Sequence, residues 1–372
     1  MDDPAAEAPV VLRGGFRILL LYDVAEALDL KRISEMLGPR GGQAARAFPK
    51  RTPEYVRFEE PPIIEATDCV KLGSGEQLAC TIKYYAFAVV VLQLEAPFEC
   101  GWNGLLAEAS RWEDGAEFEA QARRMVREHL DRVAEAVVRP TQDWLHESYV
   151  SVNLQEVRGA NGGRPLASEL LATYGKEIVE LVSGEVGPLA PKLVEEVLQT
   201  GVSYSPNDAV VVGPFAALVY DDPEDAVATT QVLEYAKMQL LEFRYYDGLM
   251  TRLLSEVYDA LDRKRNVLLS RWSVPREAKR INTIRLDVME LTERIDNAVK
   301  FVADTYFANV YRLAATRIGV PGYRRLVEEK LRTVGELYGF MVDQFNEARS
   351  FVLELAVAIL VALDVILLLR WK

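Results

Sequence analysis

From Phe351 to Leu369, seventeen of nineteen residues are apolar, and only Arg370, Trp371 and Lys372 follow. A helix of that length rises about 1.5 Å per residue and spans roughly 28 Å, close to the hydrocarbon thickness of a bilayer. The stretch also contains two acids, Glu354 and Asp364. Its fourteen Leu, Ile, Val and Phe residues each contribute about −0.3 to −0.6 kcal/mol to insertion, against about +2.5 to +3.5 for a central acid, so the sum leans toward a single C-terminal transmembrane helix. Glu354 and Asp364 would then need contacts with another helix. The alternative is a buried soluble helix with its acids near its ends.

The rest of the chain is long enough, at 372 residues with half of them apolar, to bury a full core and to form two structural units. A net charge of −13 argues against nucleic-acid binding by the whole surface, because phosphate contacts need clustered Lys and Arg. Residues 1–12 read as a disordered tail, with neither the apolar core of a signal peptide nor the arginines of a transit peptide. Cys69, Cys80 and Cys100 form no CxxC pair, and His129 and His146 are the two histidines. That pattern predicts reduced thiols, no metal site and no cofactor. His129 follows Phe118, Ala122, Met125 and Val126 at helical spacing, which predicts a packed histidine at the edge of an apolar face.

Residues 13–222 read as a mixed α/β head domain. Phe16 to Tyr22 is a nearly continuous apolar run, as in a strand covered on both faces, and a short helix is expected over 23–37. The runs 78–85 and 87–94 predict paired strands, and 118–138 an amphipathic helix. Ser168 is expected to cap a further helix running to about residue 182. In VVVGPFAALVY, Gly213 and Pro214 separate two apolar runs and predict a hairpin.

Long helices follow over 223–350. Asp at the cap, Pro223 in the first turn and further acids beside the positive end of the dipole give a strong start signal. Breaks are expected at 271–274 and 319–322. Ile284, Val288, Leu291 and Ile295 alternate spacings of four and three, and Leu331, Val334, Tyr338, Met341, Phe345, Ala348 and Val352 do the same. These are heptad seams. The last helix is expected to continue from Arg324 into the C-terminal segment at 351–369 over about 73 Å. The fold class is thus α+β: a head, then a coiled-coil-like stalk running into the membrane helix.

No phosphate-cradling loop, nucleophile elbow or metal signature is present, so no catalytic residue is assigned. The distinctive polar cluster is Glu242, Arg244, Tyr246 and Asp247, a binding patch or a polar lock against the head, with Arg244 and Asp247 spaced to pair. A second candidate opposes the acidic average. Arg263, Lys264 and Arg265 open a segment, 263–285, with eight basic residues, one acid and Trp272, suited to RNA or lipid phosphates.

The block SYSPNDAVVVGPFAALVYDD (203–222), the helix LEYAKMQLLEFRYYD (233–247) and the acid-containing C-terminal helix resemble the "required for meiotic nuclear division" family. The resemblance implies a single-pass membrane protein with an α/β head, whose mitochondrial members support translation at the inner membrane. No catalytic mechanism comes with it. Lacking a transit peptide, the chain is expected at a bacterial inner membrane with its head cytoplasmic.

The leading expectation is therefore a membrane-anchored, self-associating scaffold or tether, homo-oligomeric through 284–352 and organising ribosomes or other partners. The competing class is an enzyme or nucleic-acid-processing protein with a pocket between the head and the Arg244 helix.

Overall fold

The computed structural model describes residues 10–38, 43–44, 61–71, 77–113, 116–158, 164–185, 187–262, 283–284, 286, 288–289 and 305–370. They divide into two units, one of residues 1–243 and 294–322 and one of 244–293 and 323–372.

The first unit is built on an eight-stranded sheet. Its strands in chain order are β1 (Val11–Asp23), β3 (Gln43–Ala44), β4 (Ile63–Lys71), β5 (Gln77–Tyr84), β6 (Val89–Cys100), β8 (Leu145–Arg158), β9 (Ala209–Val212) and β10 (Ala216–Tyr220). Their spatial order is β3-β4-β5-β6-β1-β8-β10-β9. Neighbours are antiparallel except β8 and β10, which run parallel. The short pair β2 (Ala27–Leu28) and β7 (Val137–Val138) forms a separate ribbon.

Central position explains the apolar run in β1. It pairs along its length with β6 and β8, and side chains on both faces are buried. Phe16, Ile18, Leu20 and Tyr22 point into the main core. That face is covered by α2 (Trp102–Glu113), α3 (Ala116–Arg132), α4 (Ala167–Ser183) and α5 (Pro191–Gln199). Leu19 and Leu21, of opposite parity, are buried on the other face. There the first half of α6 (Pro223–Asp262) hydrogen-bonds to the sheet, and α7 (Thr305–Ile318) packs nearby. The head is thus a sheet between two helical layers.

Local signals explain the boundaries. β9 and β10 form the expected hairpin, and a Cβ at Gly213 would lie 1.9 Å from the Val182 carbonyl oxygen, so the turn needs glycine for its close approach to α4. The helix expected over 23–37 is shorter: β1 holds Asp23, and α1 (Leu30–Leu37) starts where Asp29 accepts the Arg32 N–H at 3.0 Å. The helix expected over 118–138 stops at Arg132, and Val137–Val138 pair as a strand. α7 ends at Gly319, whose φ of +99° is the left-handed turn that glycine adopts without strain.

The second unit is helical. It contains the second half of α6, residues 283–284 and 288–289, and α8 (Val320–Arg370) from Tyr323 on. Met250, Leu253, Ile284, Val288, Val327 and Val334 are buried in it. Lys330 Nζ donates to Asp247 Oδ1 at 2.5 Å and to Thr251 Oγ1 at 2.8 Å. The seam at 284–288 and the beginning of the 331–352 seam are therefore closed within one chain.

The membrane helix is corrected. Among the described residues, no helix is long and apolar enough to cross a membrane. The two acids leave apolar runs of nine residues, 355–363, and five, 365–369, each well short of the roughly 20 that a span needs. The single-pass anchor and the inner-membrane placement built on it are accordingly not supported.

Candidate functional site

A layer of buried polar side chains lies between the sheet and α6. On α6, Thr230, Glu234 and Lys237 are spaced by four and three and share one face. Strand alternation brings Arg17 from β1, Lys83 from β5, and Glu147, Tyr149 and Ser151 from β8 to meet them. Lys83 Nζ donates to Glu234 Oε2 at 2.5 Å, and the Tyr85 hydroxyl donates to Glu234 Oε1 at 2.7 Å. Lys237 Nζ lies 2.7 Å from Glu147 Oε2 and 5.6 Å from the Tyr149 ring centre. Ser151 Oγ and Thr230 Oγ1 share a hydrogen bond of 3.2 Å. Both ion pairs are almost wholly shielded from solvent. Burial pushes the Lys237 ammonium down to about 8 and, with the Glu234 carboxylate adjoining, raises the Tyr85 phenol well above its ordinary range.

The chemical content of this layer is registry. Buried ion pairs recover little net energy after desolvation, but a shifted helix would leave each charge alone in the interior. The three α6 side chains thus fix which turn of the helix faces which strand. The cavity lined by Leu106, Ala109, Glu180 and Phe215 is on the other side of the sheet and, at about 10 Å³, holds no more than a water molecule.

A second cluster gathers around His129, where α3 meets β4. The imidazole Nδ1 is 3.0 Å from Glu65 Oε2, and Nε2 is 3.0 Å from Thr67 Oγ1. Such an order of carboxylate, imidazole and hydroxyl is that of a nucleophile activated by a base. Its electrostatics differ. Arg132 donates to Glu65 Oε1 at 2.8 Å and also lies against His129 Nδ1, while the Tyr84 hydroxyl donates to Glu65 Oε2 at 3.1 Å. The Glu65 carboxylate is thus shared among Arg132, Tyr84 and His129 rather than held by the imidazole alone. The cluster instead satisfies the buried Glu65 and pins α3 to the sheet, in keeping with the packed histidine expected at 129.

A third cluster joins Arg123 and Arg127 to the Trp144 ring at 5.9 and 5.1 Å, with His146 Nε2 3.3 Å from Glu119 Oε2.

Glu242, Arg244, Tyr246 and Asp247 are all half-buried on α6. Asp247 takes Lys330 of α8, Tyr245 and Tyr246 meet edge to face at 5.4 Å, and Phe243 is fully buried. Glu242, Arg244 and Tyr246 are engaged as well. Arg263, Lys264, Arg265 and Trp272, with the RNA or ribosome contact expected of 263–285, lie outside the described residues. Glu354 is exposed, and the side chain of Asp364 is outside the described set. The polar layer escaped sequence reasoning because Lys83 and Glu234 are 151 residues apart. The available signal was Lys83, the one charged residue of the strand QLACTIKY.

No solved structure matches the chain. The uncharacterized protein MJ0711 of Methanocaldococcus jannaschii is 21% identical over 192 residues, covering 52% of this chain and 58% of that relative. The chain therefore spans less than two thirds of the relative's length. The family described as "Uncharacterized protein MJ0711, N-terminal domain" matches residues 13–226. This match overturns the resemblance to the meiotic nuclear division family. The block 203–222 that suggested it has a local explanation: Asp208 accepts the Tyr204 and Ser205 N–H groups at 2.7 Å each, and the β9–β10 hairpin follows. With more than half of its length matched, the chain belongs to the family of the MJ0711 N-terminal domain.

Proposed function

We propose that this protein is a self-associating scaffold whose assembly surface lies at the distal end of α8. The observation that carries the reading is the exposure of large apolar side chains there: Val357 59%, Leu360 65% and Ile366 59%. At 100° per residue these positions point in different directions around the helix. A helix that is apolar on several sides requires cover from other helices. The seam expected to oligomerise at 284–352 is partly used within the chain, at Ile284, Val288 and Val334, so the assembly surface moves toward the C-terminus. Scaffolding also suits the head, whose charged clusters pair internally and hold its helices to the sheet.

Light scattering on the full chain tests this. The expected mass is at least twice that of one chain, falling to one chain for the double variant Ile359→Lys, Ile366→Lys with helix content retained by circular dichroism. A wild-type mass of one chain at micromolar concentration would refute it.

A further inference from the structure

The heptad register of α8 can be followed from its closed part into its open part. Counting Leu331 as position a, the a positions are 331, 338, 345, 352, 359 and 366, and the d positions 327, 334, 341, 348, 355, 362 and 369. Val327 and Val334 are fully buried within the helical unit. Ile359 and Ile366, in the same seam, are 52% and 59% exposed. One seam is thus occupied at its beginning by helices of its own chain and unoccupied by any described residue near its end.

At the a and d positions of the open part the residue types are those of a paired helix, while Val357, Leu360 and Val361, at f, b and c, are apolar and exposed as well. Position a holds Val352, Ile359 and Ile366, and position d holds Leu355, Ala362 and Leu369. β-Branched residues at a with Leu at d favour two parallel strands. The acids fall on the outside: Glu354 occupies position c and is exposed, and Asp364 occupies position f, the outermost of the heptad. Glu336 and Asp343 also occupy f positions. Charges that are costly in a bilayer lie where a two-stranded coil leaves them in water.

We propose that residues 352–369 of α8 pair in parallel and in register with the same segment of a second copy of this chain, through Ile359 and Ile366 at a positions. The proposal rests on the self-association reading above and adds its partner, direction and register. The interface is isologous, so each copy contributes the same residues.

Disulfide formation separates the two layers of inference. Ile359→Cys, Ile366→Cys and, as a control at outer position b, Leu360→Cys are each made in the full chain, oxidised, and compared with the unaltered chain. The expected result is covalent dimer from both a-position variants, at least tenfold faster than from Leu360→Cys. An antiparallel pair brings at most one of the two a positions against itself. Linkage at one site alone, or preferential linkage between Ile359→Cys and Ile366→Cys copies when mixed, overturns the parallel register while the oligomeric mass stands. Absence of linkage with a mass of one chain overturns both readings. Monomeric protein that floats with phosphatidylcholine vesicles also overturns the proposal, naming a lipid surface as the occupant of the seam.

Discussion

Glu234 shows how a single residue carries the placement of a helix. Its carboxylate receives Lys83 and the Tyr85 hydroxyl at once, and its side chain is wholly buried. Glu234→Gln keeps the size and removes the charge, leaving the Lys83 ammonium unpaired in the interior. The expected loss is about 3–5 kcal/mol in chemical denaturation. Replacing both partners, Lys83→Met with Glu234→Leu, removes the stranded charge and should cost markedly less than Glu234→Gln alone. Equal losses for the two variants would show that Lys83 is solvated and that the pair does not set the register. Nothing near either residue in the sequence announces this pairing, because the partners come from β5 and α6. Likewise His129 could be read as packed from its helical spacing, but Glu65 and Thr67 could not be named, since β4 reaches α3 only through the folded sheet.

At the scale of elements, more was legible where the determinant is local. The β9–β10 turn follows from a glycine between two apolar runs, and α6 starts at a Pro and acid cluster that suits only a helix N-terminus. Ends set by tertiary pairing were less legible. Val137 and Val138 continue an apolar helical pattern, yet they pair with Ala27 and Leu28 as a strand. In α8 the heptad spacing was visible, but spacing alone does not say which helix fills the seam. The same helix passes through Gly335 and Gly339, where an added Cβ would meet nothing within 4 Å. Glycine in a helix interior costs about 1 kcal/mol relative to alanine. Gly335→Ala and Gly339→Ala should therefore each stabilise the helical unit by about 0.5–1 kcal/mol, seen as a higher midpoint in thermal denaturation followed at 222 nm. A lowered midpoint would mean that the helix bends at these glycines in solution.

For the whole molecule, charge and apolar surface act in opposite directions. Each chain carries a net charge of −13, so two copies repel one another as they approach. The surface proposed to join them is apolar, with Ile359 and Ile366 on the seam and Glu354 turned away from it. Salt screens repulsion between exposed charges over a Debye length of about 10 Å at 0.1 M, shortening to about 3 Å at 1 M. It leaves burial of aliphatic side chains intact or slightly strengthened. Association should consequently tighten as NaCl rises from 0.05 to 0.5 M. Sedimentation equilibrium is expected to show the dimer dissociation constant falling severalfold over that range. An interface held by ion pairs would respond in the opposite sense, because the same screening weakens attraction between unlike charges. A dissociation constant that rises with salt would therefore rule out the apolar seam as the source of assembly and point to the charged faces of α8. The sign of the salt effect tells the two apart without any substitution, in the full chain.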